Sequence, residues 1–353
     1  MPWTNQTTSA ILIDELDLNQ SYRQTTNCVS LEGPKRIGYF SCYDNNNDIV
    51  FSQDISSLRY LDLPNPVSIN CLQGYDSTRK YGHVNSSDML LLRWVLENEI
   101  TMQKFPSDFI CKNGLMKDMM IVLYDDDNWS LSATKIGGKI VLNKMESIEK
   151  KENIDSQTEH VNQSTYATSL QRLITQNSNH SQCSSGIEND SFFGVFHTKI
   201  GSHRILHAGW LHCVESKQEL DKPFVHMKFA LIGKYNGPRE FHSSHKANTW
   251  WSLATLAGVD TIIRAKCERD FRVKKIDKLD VDNLINKNRQ MIFFNSLNVV
   301  LDFIKSIVTE ENKCYNFHFK GEDKKLTGYM KMDADEKLIP PWYIDVQLSS
   351  KSL

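Results

Sequence analysis

The sequence predicts an α+β fold in which mixed β-strands are combined with a few helices. Strand-like runs are interrupted by isolated helical segments, unlike the regular alternation of strand and helix in βαβ proteins. The 353 residues, 40% hydrophobic and 24% charged, have the composition of a globular protein rather than a disordered or fibrous one. This length is compatible with one large domain or with two to three ordinary ones.

The N-terminal half begins with a polar segment. Residues 1–25 are polar apart from two short apolar groups, so we predict a flexible N-terminal arm. Residues 88–100 place Leu91, Trp94 and Val95 at helical spacing and predict a helix. Strands are then predicted at residues 109–111, 118–124 and 130–142, the last of them bent at Gly137-Gly138.

The C-terminal half contains the longer regular elements. Strands are predicted at residues 192–198, 204–214, 223–232 and 261–267. A helix over residues 244–257 is expected to end at Gly258, and a longer helix with one apolar stripe is expected over residues 281–308. The polar segments 146–164 and 176–190 are predicted to be loops.

Cysteine spacing and hydropathy indicate an intracellular protein with reduced thiols. The eight cysteines are scattered and form no CxxC pair, which fits neither a zinc ribbon nor a compact disulfide scaffold. The N-terminus lacks the basic start and apolar core of a signal peptide. The longest apolar run, residues 119–124, is far short of the ~20 residues needed to span a bilayer, so no membrane partner is expected.

The charge of the chain is unevenly distributed. The net charge of −2 argues against a uniformly basic nucleic-acid binder. However, residues 191–280 contain fifteen Lys/Arg and nine Asp/Glu, so this segment carries +6 and the remainder −8. Within it, residues 264–278 hold seven basic and three acidic residues, including Arg264 and Lys266. This run could contact RNA phosphates, or it could be a solvated strand and turn.

Two neighbouring strands present polar pairs where a metal site would be expected. Strand periodicity directs Trp210 and His212 to one face, and likewise His226 and Lys228. Nuclease sites of this pattern hold Mg²⁺ with carboxylates, which are missing here. A zinc site formed by His212, His226 and Cys213 is disfavoured because Cys213 would point to the opposite face from His212. A hydrogen-bonded or space-filling pair of histidines is therefore favoured.

The order of several short motifs resembles the decapping exoribonuclease (DXO) family over roughly residues 34–348. The motifs are residues 37–41, 54–61, 74–76, 90–94, 200–206, 209–213, 257–259 and 340–343, with His245-Lys246 and Trp250-Trp251. The resemblance implies a single domain over residues 26–353. It also implies a nuclease-related α+β fold of mixed twisted β-sheets, which form a central cleft flanked by helices. Members of the family remove defective caps or pyrophosphate from RNA 5′ ends.

The catalytic motifs of the family are degenerate in this chain. Its Arg-Gly, metal-binding and Gln positions fall on Asn113, Gln171, Trp210, His212, His226 and Leu253, and only the lysine Lys228 is retained. Histidine does not replace carboxylates as a Mg²⁺ ligand, because Mg²⁺ prefers oxygen. We therefore expect a pseudoenzyme without a bound metal or cofactor. The remaining candidates to contact an RNA 5′ end are Lys112, Lys228 and Lys246, together with Arg264 and Lys266.

The resemblance implies a binding role in the nucleus. Among degenerate members of the family, the chain looks most like one that acts in transcription of piRNA precursors in the fly germline, within a chromatin-bound complex. Expected partners are nuclear proteins, including a 5′–3′ exoribonuclease, and RNA 5′ ends. Two alternatives stay open. One is an active metal-dependent RNA 5′-end pyrophosphohydrolase or decapping exoribonuclease that uses displaced ligands, and the other is a pure protein scaffold.

Overall fold

Two mixed β-sheets, built from strands distant in sequence, organise the protein. The structure is a computed structural model that describes residues 10–24, 29–45, 48–64, 69–71, 87–145, 170–177, 190–215, 224–231, 238–268, 270–331 and 339–349. The predicted loop 146–164 and most of the predicted loop 176–190 lie outside the described residues.

Seventeen strands are found in the described part of the chain. They are β1 (Ala10–Asp17), β2 (Leu31–Asn45), β3 (Asp48–Ser52), β4 (Arg59–Leu61), β5 (Ile69–Asn70), β6 (Phe109–Lys112), β7 (Trp129–Ile136), β8 (Lys139–Met145), β9 (Thr175–Asn177), β10 (Asp190–Ile200), β11 (His203–Leu211), β12 (Cys213–Val214), β13 (Phe224–Leu231), β14 (Thr261–Cys267), β15 (Arg272–Asp280), β16 (Cys314–Lys320) and β17 (Lys325–Lys331).

The helices cover the sheets. They are α1 (Leu18–Gln24), α2 (Ser87–Glu97), α3 (Glu99–Lys104), α4 (Asn113–Ile121), α5 (Pro238–Ser243), α6 (His245–Leu256), α7 (Lys287–Ile307) and α8 (Pro341–Ser349). Short 3₁₀ turns lie at Val122–Tyr124 and Val281–Asn283, and residues 170–173 form one helical turn. None of the described helices is long and apolar enough to cross a membrane.

The strand order mixes parallel and antiparallel pairs. The described strands form a ten-stranded sheet, β1-β17-β16-β7-β8-β6-β11-β10-β2-β3, and a seven-stranded sheet, β5-β15-β14-β13-β12-β4-β9. Strand β6 is parallel to both β8 and β11, and β13 is parallel to β14, whereas hairpins such as β10–β11 are antiparallel. The predicted α+β class of mixed sheets flanked by helices is therefore confirmed.

The main hydrophobic core joins the two sheets through α4, α6 and α7. Buried residues of both sheets, such as Phe192 and Phe224, belong to the same cluster as residues of these three helices. The helix α7 begins at its N-cap Asn286, whose Oδ1 accepts the Arg289 N–H at 2.9 Å. Its apolar stripe, which includes Leu297, is buried, as the sequence pattern predicts.

A second core fixes α2 against the ten-stranded sheet. Trp94 of α2 is buried, and a Cβ added at Gly38 of β2 would lie 2.2 Å from its ring. Only a residue without a side chain leaves room for the indole at this position. The predicted helix over 88–100 is present as α2 and α3, with a break at Asn98.

The strand predicted over residues 118–124 is wrong, because this segment lies in α4 and the following 3₁₀ turn. Helix α4 packs against both α6 and α7, and its residues Met116, Met119 and Met120 are all fully buried. A helix buried on most sides has no polar face, so its short apolar run resembles that of a buried strand.

The N-terminal segment also differs from the expectation of a flexible arm over residues 1–25. Residues 10–24 form β1 and α1, and β1 pairs with β17 from Ala10↔Lys331 to Asp17↔Lys325. Leu18 is buried in the main core, and its backbone N–H donates to the Lys324 carbonyl at 3.0 Å. This buried leucine anchors a segment whose polar composition suggested a loose end.

Candidate functional site

His212 lies where the chain passes from one sheet to the other. Strand β11 of the ten-stranded sheet ends at Leu211, and β12 of the seven-stranded sheet begins at Cys213. A single residue therefore separates strands of different sheets. Trp210 and His212, which the sequence predicts to share a face, are consequently held at the junction of the two sheets.

Three aromatic rings are in contact at this junction. The ring centroids of Trp210 and His212 are 3.9 Å apart with their planes at 36°. The centroids of His212 and His226 are 4.6 Å apart, with planes at 26°. Because His226 belongs to β13, this ring stack connects the end of β11 with the seven-stranded sheet. Both histidines are buried.

Gln171 stabilises the crossover from the other side. Its Nε2 donates a hydrogen bond to the backbone carbonyl of His212 at 3.0 Å, and the side chain is buried. A carboxylate at this position could not donate this bond and would place a negative charge against the carbonyl dipole. The amide of Gln171 thus serves as a structural contact of the junction.

His226 is buried in the protein interior. Neither of its ring nitrogens has a hydrogen-bond partner among the described residues. Burial lowers the pKa of His226 to about 3, and the nearby Lys228 ammonium adds to this shift. The imidazole is therefore neutral at pH 7 and contributes to the site mainly through its ring contacts.

Lys228 follows His226 by two residues in β13, and its positive charge acts on the His226 imidazole. It is half-buried, and it has no hydrogen bond or ion pair within the described residues. Burial lowers the pKa of Lys228 to about 8, and the positive charge of Lys246 adds to this shift. The ammonium groups of these two lysines, one on β13 and one in the first turn of α6, therefore interact electrostatically. Lys246 also lies 5.3 Å from the centroid of the Trp250 ring.

Arg264 and Lys266 contribute differently, because both are paired with Asp277. The carboxylate of Asp277 lies 2.8 Å from Arg264 and 3.0 Å from Lys266, and Lys275 is a third partner at 3.2 Å. Although burial raises the pKa of Asp277, hydrogen bonds from these cations lower it to about 2. In the strand register Arg264 lies beside Lys228, so the paired cluster borders the unpaired lysine.

Asn113 has a structural role that its sequence position does not reveal. Its Oδ1 hydrogen-bonds to Nδ1 of His207, whose Nε2 lies 2.7 Å from Oγ1 of Thr198, and His207 is fully buried. Burial lowers the pKa of His207 to about 3, so its ring stays neutral. A Cβ added at Gly209 would lie 2.1 Å from Nδ2 of Asn113. No local sequence signal connects these residues, which come from α4, β10 and β11.

The remaining candidates lie around the junction rather than in the ring stack. Lys112 ends β6 and is half-buried, and Leu253 is partly buried on α6. Trp250 and Trp251 are both buried in the main core. Cys213 is buried and its backbone pairs with Val225, and burial raises the pKa of its thiol to about 12.

The side chains of the ring stack do not suit Mg²⁺. Among the described residues, no group of three or more His, Cys, Asp or Glu side chains is close enough to hold an ion. The ring stack offers imidazole nitrogens, whereas Mg²⁺ requires near-octahedral oxygen coordination. We therefore derive no chemical step through a metal at this site.

The neutral state of His226 predicts a pH dependence of stability. Its pKa of about 3 in the folded protein lies below the ~6.5 of an unfolded histidine, so the unfolded chain is protonated first on acidification. The contribution of neutral His226 to the free energy of unfolding should therefore be fully retained above about pH 6.5. It should be lost progressively as the pH falls toward 3. His226→Phe should reduce the loss measured by urea unfolding between about pH 7 and pH 5 by about 2 kcal/mol. The exposed His245→Phe is the control, and an unchanged pH dependence of His226→Phe would contradict this account.

Comparison with known proteins places this geometry in a nuclease fold. Candida albicans Rai1, solved in complex with pU5-Mn²⁺, superposes with a TM-score of 0.74 and 17% identity, covering 97% of this chain and 99% of that chain. A variant of S. pombe Rai1 in which three glutamates are replaced, solved in complex with 3′-FADP, superposes with a TM-score of 0.69 and 15% identity over 90% of this chain and 98% of that chain. These likenesses establish the fold.

Sequence similarity supports the same relationship. Decapping and exoribonuclease protein Rai1 of Drosophila melanogaster is 23% identical over 194 residues, or 51% of this chain and 52% of that protein. The chain thus matches about half the length of this relative. Residues 32–344 match the family described as RAI1 like PD-(D/E)XK nuclease. Since that match extends over most of its length, the chain belongs to the RAI1-like PD-(D/E)XK nuclease family, whose relatives here are decapping exoribonucleases.

Proposed function

We propose that this protein is a catalytically inactive member of the decapping exoribonuclease family that binds RNA 5′ ends within a nuclear protein complex. The observation that carries the proposal is the contact of Gln171 with the His212 carbonyl, beside the stacked rings of Trp210, His212 and His226. Groups that would face metal ions in an active member instead hold the two sheets together.

The loss of several carboxylates removes the main source of catalysis in a metal-dependent hydrolase. The metal ion there activates water and stabilises the leaving oxygen. Removal of one electrostatic contact to a transition state typically costs about 10²–10³ in rate. Replacement of the whole ligand set by an amide, an indole and two imidazoles should therefore abolish hydrolysis.

Binding can persist without those acids. The S. pombe Rai1 variant with three replaced glutamates is described in complex with 3′-FADP, so that protein holds a nucleotide ligand without them. Candida albicans Rai1 is described with the 5′-phosphorylated RNA pU5. In this chain, Lys228 has no carboxylate partner among the described residues, and loss of neighbouring acids strengthens its attraction for a phosphate.

The biological setting belongs to the same proposal. Overall similarity and degenerate motifs liken the chain to the fly germline protein Cutoff. We infer a nuclear, chromatin-bound complex in which the protein shields transcript 5′ ends during piRNA-precursor transcription. A 5′–3′ exoribonuclease is one candidate partner, because active family members commonly pair with such an enzyme.

Hydrolysis is the first test. Incubation with 5′-triphosphate RNA and with unmethylated-cap RNA, in Mg²⁺ or Mn²⁺, should release no pyrophosphate or cap above the level without protein. The Drosophila melanogaster Rai1 relative, assayed in parallel, serves as the active control. Metal-dependent release that disappears in Lys228→Ala would instead establish an enzyme with displaced ligands.

RNA binding is the second test and separates an RNA-binding protein from a pure scaffold. We expect 5′-phosphorylated RNA to bind more tightly than 5′-hydroxyl RNA, with affinity falling between about 50 and 200 mM salt. Lys228→Met should weaken binding by about tenfold, because a charged hydrogen bond is lost. Lys266→Met, which removes a cation already paired with Asp277, is the matched control and should cost much less.

The pH dependence of binding should follow the ammonium group of Lys228. Because its pKa is about 8, the protonated form that attracts phosphate predominates at pH 7 and is depleted by pH 9.

Salt-independent binding, or equal binding of both RNAs by wild type and Lys228→Met, would favour the scaffold interpretation.

A further inference from the structure

Strand β1 ends the ten-stranded sheet, and its exposed surface is apolar. In the strand order β1 pairs only with β17, so its other edge has no neighbouring strand among the described residues. Ile11, Leu12 and Ile13 are 49%, 59% and 43% exposed. Since successive residues of a strand point to opposite faces, both faces of β1 expose apolar side chains here.

Such an edge is unusual for a protein that functions alone. Edge strands are normally protected by lysines, prolines or inward-pointing charges, because their free backbone groups pair readily with other chains. Residues 10–13 of β1 contain no charge and no proline. The register shift between Leu12 and Asp14 is a local irregularity that leaves the pairing on either side intact.

The edge is also held in place before any partner arrives. Pairing with β17 continues along the whole strand, and the next residue, Leu18, is buried in the main core. Leu16 is partly buried against the same core. A preformed strand does not have to be ordered on binding, which favours addition of a further strand.

The charge of β1 specifies the partner. The strand contains Asp14, Glu15 and Asp17 and no basic residue. Glu15 forms an ion pair with Lys325 of β17 at 2.6 Å, and the charge of Asp17 also acts on this lysine, so two of the three acids of β1 share one cation there. An occupant should therefore present apolar side chains beside residues 10–13 and basic side chains beside residues 14–17.

We propose that β1 is a docking strand, which binds an extended basic and apolar segment of a partner protein by adding it to the edge of the sheet. The proposal is independent of the catalytic state of the ring-stack site. Main-chain hydrogen bonds supply affinity in this mode of recognition, and the alternate side chains supply specificity.

The test uses the full chain and two synthetic fluorescent peptides. One peptide alternates valine and threonine and has two lysines at each end, and the other has glutamates in place of the lysines. Fluorescence anisotropy should show the lysine peptide binding at least about tenfold more tightly. Hydrogen–deuterium exchange should show new protection of the amides of residues 10–17 in its presence.

Variants of exposed residues locate the site. The double variant Ile11→Ser/Leu12→Ser should weaken the lysine peptide by at least about tenfold, since buried apolar contacts are lost. Ile100→Ser/Met291→Ser, which changes two exposed apolar residues on α3 and α7, is the matched control and should bind like wild type.

Three outcomes would overturn the proposal. They are equal binding of both peptides, binding that is insensitive to the Ile11/Leu12 variant, and absence of binding. Sedimentation of the chain alone supplies a further check. A dimer that dissociates in the Ile11/Leu12 variant would identify a second copy as the occupant, contrary to the proposal. Matched melting temperatures would show that these exposed substitutions leave the fold intact.

Discussion

The hydrogen bond from Gln171 to the His212 carbonyl, together with the ring stack beside it, is the constraint on which the site depends. His212 is the single residue between strands of different sheets, so its backbone must be held at a fixed place for both sheets to meet. The junction is held by one amide, one indole and two imidazoles.

The local electrostatics follow from these buried contacts. Burial keeps His226 neutral, and Lys228, whose charge acts on it, has no carboxylate partner among the described residues. The neighbouring cations Arg264 and Lys266 share Asp277, which orders them but partly neutralises them. The excess positive charge of the segment 191–280 is thus divided between a paired cluster and an amine available to an anion.

The sequence predicts those elements in which hydrophobic residues repeat with the period of a single kind of secondary structure. The strand over 261–267 and the long apolar stripe of α7 are present because their faces differ in burial. Helix α4 was mistaken for a strand because it is buried on most sides. At the site, strand periodicity brought Trp210 and His212 to one face, but it could not reveal the contacts of Gln171 or Asn113. Those contacts join residues far apart in the chain, and no local pattern encodes them.

The central claim is that RNA 5′ ends bind this site without metal ions. Anomalous diffraction at the manganese edge, from crystals grown with 5′-phosphorylated RNA and Mn²⁺, tests it most directly. The account predicts the RNA 5′ phosphate beside Lys228 and no manganese peak near Gln171, His212 and His226. One or two manganese peaks among these side chains would contradict it.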